Sequence, residues 1–106
     1  MIVLIALAAL AQATPAPSPL EADILVIGRR LDQLSVVVGK DARGKFTCSL
    51  SETSGNAGLD RNLCKSAAKC VKDGARDQAG VSACIDRRKP ALLADVRRTL
   101  ASGAAQ

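Results

Sequence analysis

No histidine, tryptophan or tyrosine occurs in the 106-residue chain, and Phe46 is its only aromatic residue. Without imidazole the usual general base near neutral pH is missing, and with it the Ser-His and Cys-His nucleophile systems. The same absence removes a principal zinc ligand. Since the four cysteines form no C-x-x-C pair, no zinc pattern is present, and neither a metal nor another cofactor is expected. With so few rings, the core must be assembled from Leu, Ile, Val and Ala, each of which buries less area than an aromatic. One ring alone gives no platform on which successive bases could stack, so nucleic-acid binding is not expected. Long apolar stretches are also lacking. The uncharged run from Ile2 to Ala11 is about half of what a bilayer-spanning helix needs, so no transmembrane anchor is expected.

The residues after that run give it a meaning. Ala11-Gln12-Ala13 is a small-x-small pattern that fits a signal peptidase, and Thr14-Pro15-Ala16-Pro17-Ser18-Pro19 cannot continue a helix. Residues 1–13 therefore read as a signal peptide cut after Ala13, although no Lys or Arg precedes the apolar run. Residues 14–22 read as a disordered Pro- and Ala-rich lead-in, and 23–103 as a single disulfide-stapled domain. The expected location is periplasmic or secreted.

Cys48, Cys64, Cys70 and Cys84 are an even set behind an export signal, which reads as two disulfides. Cys64 and Cys70 fall on one helix, where six residues of 1.5 Å rise separate them by about 9 Å, too far to bond. Of the two remaining pairings, Cys48 with Cys64 and Cys70 with Cys84 is preferred because each bond joins sequence neighbours. Each loop closed is worth roughly 3 kcal/mol on chain-entropy grounds, a large share of a small domain's stability.

The element pattern is α+β: a short antiparallel sheet followed by three helices. Ile24-Leu25-Val26-Ile27 is a β-rich run and reads as a candidate third strand, ended by Gly28-Arg29-Arg30. Leu34, Val36 and Val38 alternate with Ser35, Val37 and Gly39, and Phe46, Cys48 and Leu50 alternate with Lys45, Thr47 and Ser49. Between them Asp41 and Gly44 supply the chemistry of a hairpin turn, which puts Phe46 and Cys48 on the core face. Asp60 is expected to cap a helix running to Lys72, stopped by Gly74, whose Leu59, Leu63, Cys64, Ala67, Cys70 and Val71 share about 140° of the wheel. Asp77 is expected to cap a short second helix through Val81, Cys84 and Ile85. Pro90 then starts a third, striped by Leu92, Leu93, Val96 and Leu100.

Little here points to catalysis. Ser66-Ala67-Ala68-Lys69 matches S-x-x-K, but neither S-D-N nor K-T-G accompanies it. Gly55-Asn56-Ala57-Gly58 is a loop without a phosphate-binding pattern. Glu52 and Asp60 flank a helix start and suit capping rather than acid-base work. The chain is expected not to be an enzyme. Its formal charge of +5 is more telling. Arg87, Arg88, Lys89, Arg97 and Arg98 surround the last helix and are read as a candidate anion-binding face, which Lys65, Lys69 and Lys72 could extend.

The stretch Asp23-Ile24-Leu25-Val26-Ile27-Gly28-Arg29-Arg30, followed by a hairpin, Cys48, a Ser/Thr/Gly loop and Cys64, resembles small exported cysteine-containing proteins of Gram-negative bacteria with no assigned function. That resemblance implies a compartment and no mechanism. The expected role is a non-catalytic periplasmic or secreted binding or accessory protein whose partner is an envelope or secreted protein. The alternative is a cationic protein that binds an anionic envelope surface.

Overall fold

Residues 18–103 are described by a computed structural model; the expected signal peptide and cleavage site lie outside them. Three helices and one two-stranded sheet are arranged in the order α1 (Pro19–Gln33), β1 (Val36–Lys40), β2 (Phe46–Leu50), α2 (Ala57–Lys72) and α3 (Gln78–Ala101). The fold is α+β, and the two crosslinks are Cys48–Cys64 and Cys70–Cys84.

α1 replaces the expected third strand. Ser18 accepts a hydrogen bond from the Glu21 amide at 3.2 Å, and Pro19 occupies the first helical position, so Pro19–Ala22 are the first turn of a helix rather than a lead-in. Along the helix Ile24, Ile27 and Leu31 are buried while Leu25 and Val26 face outward. The β-branched run misleads because burial here has a spacing of three and four, which a helix packed on α3 satisfies without a strand partner.

The hairpin forms as expected. Val37 pairs with Ser49 and Gly39 with Thr47, and Asp41 closes the turn by accepting from the Arg43 and Lys45 amides at 2.8 and 3.0 Å. Gly44 has φ +77°. Leu34, Val36, Val38, Cys48 and Leu50 turn toward the helices, whereas Phe46 stays 38% exposed. Its parity is the one expected. Its position, opposite Lys40 at the turn end of the ladder, is what keeps it out of the core.

Two helix boundaries also differ from expectation. Asn56, not Asp60, caps α2, accepting from the Leu59 amide at 2.9 Å. The expected second and third helices are one, because Pro90 sits inside α3. Both Pro90 and Asp86, whose carbonyl loses its intrahelical donor, are exposed, so water can satisfy the freed acceptor. Gly74, at φ +114°, ends α2 as expected, in a conformation that side chains rarely adopt. The core lies where the three helices and the inner face of the hairpin meet, around Leu31, Leu59, Leu63, Val81 and Ile85.

Candidate functional site

The turn end of the hairpin overhangs the junction of α2 and α3. Val38 and Phe46 from the sheet, Val71 from the end of α2, Ala75 from the connection after it, and Val81 from α3 line a cleft of about 450 Å³ there. Lys40 and Arg76 stand at its rim with Asp77, which is occupied as the α3 cap, accepting from the Gly80 amide at 2.7 Å. Gln78 fixes the sheet beside the cleft. Its Oε1 accepts from the Val38 amide at 3.0 Å and its Nε2 donates to the Val36 carbonyl at 2.7 Å, so one side-chain amide plugs the outer edge of β1. The Cys48–Cys64 disulfide holds the other strand to α2. The wall bearing Phe46 is thereby immobilised from two directions.

A second groove, of about 550 Å³, lies between α1, the loop before α2 and the end of α3, with Arg30 and Gly55 facing each other across it. Arg30 Nη1 lies only 2.8 Å from where a Cβ on Gly55 would stand, and Gly55 has φ +89°. The positive φ favours glycine there, whereas the guanidinium, at the end of a flexible side chain, could move aside. The loop itself is tied to Asp60, whose carboxylate accepts from the Ser54 amide at 2.9 Å, the Ser54 hydroxyl at 2.6 Å and the Thr53 hydroxyl. Burial alone would raise the pKa of Asp60, but these hydrogen bonds outweigh it and hold the carboxyl below its ordinary value. Asp60 is therefore committed to the loop, and Glu52 is not brought to it as a partner carboxylate.

The five basic residues assigned to the last helix do not form one face. At about 100° per residue, Arg87, Arg88, Lys89, Arg97 and Arg98 are spread around the whole circumference of α3. Four of them are engaged: Arg88 with Asp73 at 3.2 Å, Lys89 with Asp86 at 3.2 Å, Arg97 with Glu21 and Arg98 with Asp95. Lys89 also reaches the Leu34 carbonyl at 3.4 Å, which ties α3 to the end of α1.

Four of the cations outside these ion pairs share one face of α2. Arg61, Lys65, Lys69 and Lys72, all exposed, fall within about 80° of one face of α2, opposite the buried Leu59, Leu63, Ala67 and Cys70. The tract runs about 16.5 Å along the axis, and its last member, Lys72, follows Val71, the α2 residue that lines the cleft, about a quarter-turn further round the helix. No acid interrupts it, because Asp60 is turned to its loop and Asp73 to Arg88. Like charges three and four residues apart each destabilise a helix by about 0.2–0.5 kcal/mol, so the tract is a small standing cost to the fold. Its i, i+4, i+8, i+11 spacing is present in the sequence, and reading α2 for its polar face as well as its apolar one would have found Arg61. Lys40 and Arg76 carry no such signal, since only the fold brings them to the cleft.

Ser66 and Lys69 lie on α2 with no hydrogen bond between them. Among the described residues no cluster of acids and cysteines is arranged to hold a metal, and no helix is long and apolar enough to cross a membrane. The two disulfides mark an oxidising compartment. Compared with known proteins, the chain matches no family, no curated protein and no solved structure.

Proposed function

We propose that this is a non-catalytic binding protein of the periplasm or the secreted space, exported by the leader of residues 1–13, whose partner is another envelope or secreted protein held at the Phe46 cleft. The observation that carries this reading is the placement of the only ring. A domain this poor in aromatics would gain most by burying Phe46, yet it stands half-exposed at a cleft mouth on a strand fixed by a disulfide and by Gln78. Rigid aromatic anchors of this kind bind at low entropic cost. The lack of histidine and of the further motifs that accompany S-x-x-K support the non-catalytic part.

Crosslinked capture from the native envelope tests it, with wild type, Phe46→Ala and an Arg97→Ala plus Arg98→Ala variant run in parallel. A partner retained by wild type and the double variant but lost from Phe46→Ala is the expected outcome. Equal retention by all three sinks the cleft as the binding site. The alternative, binding to an anionic envelope surface, is favoured by one observation, the unpaired tract on α2, and would not depend on Phe46.

A further inference from the structure

We infer that the α2 tract and the Phe46 cleft form one continuous docking surface for an extended acidic polypeptide carrying an apolar residue at one end, an inference that rests on the cleft being the binding site. Charge sets the partner's sign. Of the ten acids, Glu21, Asp73, Asp86 and Asp95 are held in ion pairs and Asp41, Asp60 and Asp77 in turns and caps; the other three lie off the tract, Asp23 and Asp32 on α1 and Glu52 in the loop before α2, and no ion pair among the described residues reaches Arg61, Lys65, Lys69 or Lys72. Lys40 and Arg76 continue the positive potential to the cleft rim.

Spacing sets the partner's form. Arg61, Lys65 and Lys69 are four residues apart, a step of about 6 Å along a helix, and same-side residues of an extended chain recur every 6.8 Å or so. Acidic side chains at alternate positions would thus meet successive cations, and the chain would reach the cleft next to Lys72. There Phe46, Val71, Val38 and Val81 offer an apolar recess to one aliphatic side chain. A lipid surface fits less well. The exposed apolar surface at the cleft is confined to Phe46 and Val71, and the tract is flanked by Asn62 and Ala68, which offer nothing to insert into a bilayer.

The test uses a dye-labelled synthetic peptide with glutamates at alternate positions, serines between them and a leucine at one end, followed by fluorescence anisotropy. Wild type should bind it with an affinity that falls steeply with salt. Lys65→Glu with Lys69→Glu, both at exposed positions, should weaken binding at least about tenfold with helix content unchanged by circular dichroism. Replacing the peptide's leucine by serine should weaken binding to wild type but not to Phe46→Ala. Peptide binding indifferent to the lysine reversals overturns the proposal. So does the absence of peptide binding alongside Lys65- and Lys69-dependent binding to phosphatidylglycerol vesicles, which would make lipid the partner. If the peptide fails while capture from the envelope still depends on Phe46, the acidic-ligand inference falls and the cleft reading stands.

Discussion

Phe46 and Asp60 show how much a single side chain's surroundings decide. Truncating a phenylalanine in a packed core costs about 3–5 kcal/mol, but Phe46 is 38% exposed and lines a cleft rather than filling the interior. Phe46→Ala is therefore expected to lower stability by no more than about 1–2 kcal/mol in thermal unfolding, and a larger loss would return the ring to a structural role. Asp60 is the opposite case, an apparent surface acid bound into a loop. Its carboxyl is held below the ordinary aspartate value, so its contribution is complete above the unfolded pKa of about 3.9 and is lost as pH falls through the lower folded value. Asp60→Ala should cost about 1–2 kcal/mol at neutral pH and less in strong acid, where protonation takes from the wild type the charged acceptor that the variant lacks throughout. A constant gap between the two stability curves down to low pH would show that the carboxylate charge contributes nothing.

At the level of elements, legibility tracks how local the deciding physics is. The hairpin can be read because its turn chemistry and alternation are contained in Leu34–Leu50, and the disulfides because helix rise excludes one pairing and the preference for sequence neighbours selects between the other two. α1 cannot be read the same way, since a run of β-branched residues outweighs a shorter cue. The capping pair Ser18 and Glu21 and the spacing of Ile24, Ile27 and Leu31 decide it only once α3 is there to pack against. The joined α3 has the same origin. Pro90 signals a helix start locally, whereas burial of Val81 and Ile85 on one side of it and Leu92 and Val96 on the other carries the helix straight through. The candidate cleft is invisible in the sequence because it gathers residues from both strands, α2 and α3. Pro90 itself is exposed and cannot donate to the Asp86 carbonyl, so it costs the helix, and Pro90→Ala should stabilise the protein by about 1–3 kcal/mol. Thermal unfolding of that variant reads it directly; an unchanged or lower midpoint would mean that the proline is needed where it stands.

For the whole molecule the two crosslinks are unequal, and graded reduction should separate them. Closing loops of 16 and 14 residues contributes roughly 3 kcal/mol each, so losing both removes about as much as a small domain's entire stability. Cys70 and Cys84 are buried in the contact between α2 and α3, while Cys48 and Cys64 are only half-buried at the junction of hairpin and helix. Thiol attack requires access to sulfur, so the outer bond should open first. A molecule reduced only there keeps its helices joined through Cys70–Cys84 but frees β2, and with it Phe46, from α2. Helical ellipticity should then persist while ligand capture at the cleft is lost, and ellipticity should collapse only when the inner bond opens. Alkylation mapped by mass spectrometry gives the order. Should Cys70 and Cys84 label first, or helix content vanish with the first bond, the hairpin and the helical layer would be a single cooperative unit, and rigidity of the cleft could no longer be ascribed to the outer disulfide.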